Sequence, residues 1–493
     1  MIMNPSLYQI NTRVWLRRFD TKDKNASLED VPDSYWESLA EKGTDYVWLM
    51  GVWKICESTI EKYCFQEGAI KDSFSEALKD FQNKDVIGSP YAIDRYEINP
   101  RLGTEDSLQH VRSVLNRLGM KLILDFVPNH FSADSALIQT DPYVFLEVSS
   151  DFFIRDPHTF YKPLENADRF FAHGRDPFFP AWEDTIQVNY FNPDAREFMI
   201  RTLTRLTRLC DGVRCDVAML DLNNVFKDTW AGVLSETGEK PPEDEFWKVA
   251  IESVKAVSPE FIFIGEIYWD KEWELQQLGF DFTYDKKLTD RLRIGYVKDI
   301  REHLLAERNF QQKSIRFIEN HDEERAVTAF GEQRSKAAAV IISTLQGMRF
   351  YHDGQFEGKK IRLPVQLGRE PAEPVNKRIS DFYENLLHIT CHEVFKKGEW
   401  SLLEVMPGWD GDAGYENILA WAWKYKTEKR LVVINYADAV STCRIKPDVK
   451  GCSDSFELAD LLNSQTYLRS VQEASHPGIY IALENYESHI FAY

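Results

Sequence analysis

The sequence predicts an α/β chain built as a (β/α)8 TIM barrel, with a small domain inserted after the third strand and an all-β domain towards the C-terminus. Three observations predict it. Short apolar runs alternate with helix-like segments across about the first 400 residues, the rhythm of a parallel sheet. Eight such runs occur, the number that closes a barrel. After about residue 400 the helical period stops and stretches of period two take over, as in antiparallel strands.

The predicted strands, in order, are LYQINTRVW (7–15), DYVWLMG (45–51), KLILDFV (121–127), DGVRCDV (211–217), FIFIGEI (261–267), FDFTYD (280–285), IRFIEN (315–320) and MRFYHDG (348–354). Between them, Leu108, Val111, Leu115 and Leu118 fall at helical spacing, as do Met199, Leu203, Leu206 and Cys210. Each set lays one apolar stripe against the outside of the barrel. Gly119 marks a helix end, and Asn192, Pro193 and Asp194 mark a helix start. Two excursions, 52–90 and 131–188, break the rhythm after strands, on the face where barrels carry their sites. The second is rich in aromatics and Asp-Pro turns, so 131–188 is predicted to be an inserted domain at the barrel mouth. The barrel would then comprise 1–130 and 189–400. ILAWAWKY, KRLVVINYAD and GIYIALENYESHIFAY predict a separate β-sandwich domain over 401–493.

Composition narrows the function. Lys and Arg total 59 against 79 Asp and Glu, a net charge of −20, which excludes a general binder of nucleic acid or anionic membrane. The seven cysteines form no CxxC pair, so neither a disulfide framework nor a zinc site is expected, and the thiols read as reduced. The first residues show no basic-then-apolar signal pattern, and no run reaches the roughly 18 apolar residues of a membrane span. A soluble, cytoplasmic protein is expected; nothing in the sequence fixes its oligomeric state.

Chemistry in a parallel barrel gathers where strands end. Asp125, Asn129 and His130 close strand three in DFVPNH. Arg214 and Asp216 lie on strand four in GVRCDVAM, Glu266 follows strand five in IGEIYW, and His321 and Asp322 follow strand seven in FIENHDEER. Arg214 and Asp216, two apart, share one face, while Cys215 points away and reads as inert. The guanidinium should hold Asp216 below its ordinary pKa, ionised as a nucleophile must be. Glu266, ahead of Tyr268 and Trp269, should sit in an apolar setting that raises its pKa, as an acid requires. Adjacent strands about 4.8 Å apart bring such carboxylates towards the roughly 5 Å of retaining glycosidases. Any one strand-end carboxylate is most often a helix cap or an ion-pair partner; the ordered set is what argues for catalysis. Asp125 reads equally as a loop tether or a substrate contact. Trp182, Trp269 and Trp273 offer flat faces to further sugar rings.

These four segments, in this order and with SPYAIDRYEINPRLGT at 89–104, resemble the signature regions of the α-amylase family of glycoside hydrolases (glycoside hydrolase family 13). The resemblance runs over essentially the whole chain, with 131–188 in the place of the family's domain B. It implies a retaining hydrolase of α-glucosidic bonds in α-glucans, oligosaccharides or small α-glucosides. Asp216 would be the nucleophile, Glu266 the acid and then base, and Asp322 a third carboxylate holding sugar hydroxyls. Arg214 would orient Asp216, His130 and His321 would bind hydroxyls, and Tyr91 would stack on the sugar. No cofactor is needed for that chemistry. Asn129 matches a calcium ligand of many members, which leaves a structural calcium open. Where many endo-acting members carry Lys-His after the nucleophile, this chain has Met219 and Leu220, expected to make the acceptor side apolar. Ala92 stands where many α-glucosidases carry Asp. Transfer of the glycosyl group to another sugar or to phosphate uses the same residues, and a non-catalytic carbohydrate-binding member is the alternative of a different class. Unrelated barrel chemistry finds no Gly-rich phosphate loop and no HExxH pair here.

Overall fold

Eight parallel strands close on themselves, each hydrogen-bonded to its neighbours in sequence: β1 Ser6–Asn11, β2 Tyr46–Met50, β3 Lys121–Phe126, β4 Gly212–Cys215, β5 Ile262–Gly265, β6 Phe282–Tyr284, β7 Ser314–Arg316 and β8 Met348–His352. The computed structural model describes residues 3–65, 68–163 and 168–493. Met1, Ile2 and the stretches 66–67 and 164–167 of the two excursions lie outside the described residues. Each predicted run supplies one barrel strand. The first differs in extent: the chain leaves the sheet after Asn11 and coils into a helical turn at Thr12–Trp15, burying Val14 and placing Trp15 in the outer core.

The barrel interior is filled by Leu7, Trp48, Ile123, Ile264, Tyr284, Phe350 and their neighbours, a packed core and no pore. A Cβ on Gly212 would stand 2.6 Å from the Ile262 carbonyl oxygen, so glycine is what lets β4 and β5 approach closely here. That pair carries the two central carboxylates. Outside, α1 Glu105–Arg117 starts at Thr104, whose side chain accepts from the Ser107 N–H, and is followed by Gly119 at φ +81°. Next, α2 Pro193–Leu206 starts at Asn192, which accepts from the Asp194 N–H. Both helix boundaries match the sequence expectation.

The excursion after β3 returns on itself. Its first and last strands, His130–Ser132 and Thr185–Gln187, pair antiparallel, with His130 opposite Gln187. This clasp hangs the described residues of the excursion, 133–163 and 168–184, over the barrel mouth.

Towards the C-terminus, β9 Glu399–Leu402, β10 Ile418–Tyr425, β11 Glu428–Asn435, β12 Ser441–Ile445, β13 Ser455–Asp460, β14 Gln465–Ser470, β15 Ile479–Leu483 and β16 Ser488–Ala492 form an all-β domain. Six of them make one sheet in the order β9-β10-β11-β16-β13-β14, and β12 pairs with β15. Alternation on β10 and β11 has a clear purpose. Ile418, Ala420, Leu431 and Val433 face the β12-β15 pair, while Trp421, Trp423, Val432 and Ile434 join the core of the barrel. Between barrel and sheet lies α3 Glu332–Thr344, whose last ten residues are nearly all buried. Trp423 Nε1 donates to the Thr344 carbonyl at the end of α3 (2.7 Å), Arg301 to the Ile418 carbonyl (2.8 Å) and the Tyr436 hydroxyl to the Leu292 carbonyl (2.9 Å).

Candidate active site

The ladder between β3, β4 and β5 runs one residue past the strands. The Asp216 N–H donates to the Phe126 carbonyl (2.9 Å) and the Glu266 N–H to the Cys215 carbonyl (3.0 Å). Both carboxylates are thereby carried on ordered backbone at the strand ends. Beneath them Arg214 is fully buried. Its Nη1 lies 2.5 Å from Asp216 Oδ1 and its Nη2 2.8 Å from Glu266 Oε2, so one guanidinium fork bridges the pair. The rings of Trp48, Tyr91 and Tyr284 surround it at 5.0, 5.4 and 5.7 Å, which steadies a buried cation.

These environments set the charges. Burial, helped by the nearby Asp216 and Asp322, pushes Glu266 up to about 7 against the opposing pull of Arg214. The expectation for Asp216 is corrected: burial raises its pKa, with Asp125 and Asp322 adding to the rise, and the Arg214 ion pair only opposes it. Desolvation in a buried position outweighs one cation shared between two carboxylates. Asp322 is about half exposed, 3.0 Å from His321 Nε2. Desolvation works against its ionisation, but His321, by charge and hydrogen bond, and then Arg214 and Arg362 bring it down to about 2. Burial drives His130 down to about 3, so it is neutral near pH 7.

Tyr91, His130, Asp216, Glu266 and Asp322 line one cavity of about 590 Å3, roofed by Phe179, Pro180, Ala181 and Trp182 of the excursion. Ligand pockets typically span about 300–1,000 Å3. Trp182 lies 5.3 Å from the His130 ring. The other three expected site residues sit behind that wall. His321 is held by the Gln9 amide and the Tyr91 hydroxyl, each at 2.7 Å. Arg214 touches carboxylates and not the cavity. Asp125 takes the tether role: one oxygen accepts from Trp48 Nε1 (3.0 Å) and the other from the Gly51 N–H (2.8 Å), fixing the end of β2 to β3. Met219 and Leu220 correct another expectation. They are 1% and 3% exposed and belong to the hydrophobic core, because the chain turns inward into a short helical turn at Ala218–Asp221. The apolar acceptor side has no support from them. Trp269 packs edge-on against Phe178 at 5.0 Å, and Trp273 borders a different groove, of about 670 Å3.

Sequence reasoning missed three contributors. The Tyr268 hydroxyl donates to Glu266 Oε1 (2.8 Å), and the Val217 N–H donates to Glu266 Oε2 (2.8 Å). Tyr268 sits two residues past Glu266, which was its only signal. Gln187 is the third. Its Nε2 lies 2.9 Å from the Asn129 carbonyl, 3.0 Å from Asn129 Oδ1 and 3.1 Å from the Val188 carbonyl. An amide nitrogen therefore fills the point on which three oxygens converge.

This arrangement does not fit calcium. The ion takes six to eight oxygens, carboxylates prominent among them, and here the Asn129 oxygen already accepts from a donor. Among the described residues no group of three or more His, Cys, Asp or Glu could hold a metal. Chelator is expected to leave the melting temperature of the protein unchanged. Gln187→Glu would bury a carboxylate among those oxygens, costing about 3 kcal/mol, and millimolar calcium should restore part of that loss. A chelator-induced drop in wild-type melting temperature, reversed by calcium, would refute this account.

Fold and site together define the class: a closed (β/α)8 barrel with a clasped insertion after β3, carboxylates at the ends of β4, β5 and β7, and a C-terminal β domain. The family model "Alpha amylase, catalytic domain" matches residues 43–361, and the chain belongs to the alpha-amylase family. Alpha-amylase 3 of Dictyoglomus thermophilum is 24% identical over 301 residues, covering 56% of this chain and 55% of that protein. Alpha-amylase 2 of the same organism is 24% identical over 380 residues, covering 70% and 58%. The chain thus spans little more than half the length of these relatives. The crystal structure of the maltogenic alpha-amylase AmyB from Thermotoga neapolitana superposes with a TM-score of 0.69 at 20% identity, covering 100% of this chain and 99% of that one. This likeness is one of fold.

Proposed function

We propose that the chain is a retaining α-glycoside hydrolase, acting on α-glucosidic bonds of α-glucans, oligosaccharides or small α-glucosides by double displacement. The observation that carries the reading is the single guanidinium shared by Asp216 and Glu266 at the base of the cavity. Tying both carboxyls to one guanidinium favours the short separation of retaining enzymes, where about 5 Å leaves no room for a water between them. Their roles follow from their settings. Asp216 stays ion-paired and attacks the anomeric carbon. Glu266, with its pKa up to about 7, delivers a proton to the leaving oxygen and later takes one from the incoming water. Asp322, ionised at the cavity edge, and neutral His130 hold sugar hydroxyls, and Tyr91 and Trp182 offer ring faces. Asp125, Arg214 and His321 support these groups from behind. The division into a barrel (1–130, 189–400), an inserted domain (131–188) and a C-terminal domain (401–493) belongs to the same reading. So does a cytoplasmic setting, which seven unpaired cysteines support.

The test is proton NMR of products from maltooligosaccharides, sucrose, trehalose, isomaltose and glucosylglycerol, with and without phosphate. The α-anomer is expected first. A β-anomer appearing first would mean inversion, and no turnover of any substrate would turn the reading towards a binding protein. Because the acid must be protonated, kcat/KM should fall as pH rises through about 7. A rate that kept climbing well above that pH would contradict the assignment of Glu266.

A further inference from the structure

The two oxygens of Glu266 keep unlike company. Oε2 accepts from the Val217 N–H at 2.8 Å and lies 2.8 Å from Arg214 Nη2. The first is a hydrogen-bond donor and the second a cation at ion-pair distance, so a proton on Oε2 would meet the Val217 N–H and a positive charge. Oε1 faces the Tyr268 hydroxyl at 2.8 Å, and a hydroxyl both donates and accepts. The acid form can therefore keep its proton on Oε1 without conflict, with Tyr268 accepting. Val217 is held at φ 37°, ψ 45°, a left-handed conformation that is costly for a β-branched side chain. The left-handed residue follows directly on Asp216, where its N–H reaches Glu266 Oε2.

We propose that Tyr268 is a positioning residue that fixes the Glu266 proton on Oε1 and steadies the carboxylate once that proton has gone to the leaving oxygen. This rests on the hydrolase reading above. In the first half-reaction the Oε1 proton passes to the glycosidic oxygen as the C1–O bond breaks and the Asp216–C1 bond forms. Tyr268 then rotates its O–H to donate to the bare Oε1. In the second half a water oxygen attacks C1, the ester bond breaks, and a water proton returns to Oε1 as Tyr268 turns back. Tyr268 keeps its own proton throughout. The charged and titratable groups facing Glu266 are Arg214 on β4, Asp216 just after it, Asp322 after β7, Tyr284 on β6 and Tyr268 on its own loop.

Tyr268→Phe tests this, because it removes the hydroxyl and keeps the ring. One readout is the pH profile of kcat/KM on maltotriose. The other needs no turnover: the pH midpoint of carbodiimide labelling at Glu266, followed by peptide mass spectrometry. Losing a hydrogen bond to a charged acceptor should move both the basic limb and the labelling midpoint up by about one pH unit. The rate on maltotriose should fall about tenfold, carried by kcat and not by KM. An unmoved midpoint, or a uniform loss of rate with an unmoved profile, overturns the proposal and leaves Tyr268 a packing residue. If the wild type turns over no α-glucoside, the hydrolase reading falls, while the labelling midpoint still decides whether Tyr268 controls the Glu266 proton.

Discussion

Asp216→Asn is expected to lower kcat by at least about a thousandfold while leaving oligosaccharide binding nearly intact. An amide of the same shape cannot form the glycosyl ester, so the first half-reaction loses its nucleophile. Folding should survive, because Arg214 retains Glu266 as its partner (2.8 Å) and the cavity keeps its volume. The substitution also removes one of the charges that hold Glu266 up, so the Glu266 labelling midpoint should fall. Steady-state rates on maltooligosaccharides and calorimetric binding to the variant measure both sides. A rate within about tenfold of wild type would remove Asp216 from the chemistry.

Glu266→Gln should reduce turnover of oligosaccharides by about 10²–10⁴-fold. It should do far less to a 4-nitrophenyl α-glucoside, whose leaving group needs no proton. The same substitution has a consequence for stability. Glu266 carries a folded-state pKa of about 7 against an ordinary value of 4.5, so the folded state binds its proton more tightly than the unfolded chain does. The stability this provides is fully present below about pH 4.5 and is lost as pH rises through about 7. Gln does not titrate. Relative to wild type, the variant should therefore gain on the order of 3 kcal/mol between about pH 4.5 and pH 8. Urea midpoints at the two pH values would show it. Equal pH dependence in the two proteins would contradict the raised pKa.

What the sequence disclosed follows from what each signal depends on. All eight barrel strands were legible because strands buried on both faces become unbroken apolar runs, and those runs alternate with amphipathic helices. In the C-terminal domain, β14 reads QTYLRS and is mostly exposed, so no such run marked it. The central carboxylates were legible because their position at strand ends is a matter of chain order. Charges depend instead on enclosure. Asp216 shares its guanidinium with Glu266 in a buried position, and no spacing rule reveals that the desolvation of Asp216 outweighs the pairing. The turn that hides Met219 and Leu220 begins at a left-handed valine, a conformation the sequence gives no reason to expect. Gln187 carried no signal at all, since its role depends on the excursion folding back opposite His130.

Helix α3 offers water almost no polar face beyond its first turn: one side rests on the barrel and the other is covered by the C-terminal sheet. Exchanging that sheet between relatives, or deleting it to make a smaller catalyst, would strand an apolar rod on the surface of the remaining fragment. The sheet and the last barrel repeats must therefore be inherited or engineered together. Anyone shortening the gene would first have to redesign Ala337 to Thr344 as a solvent-facing surface.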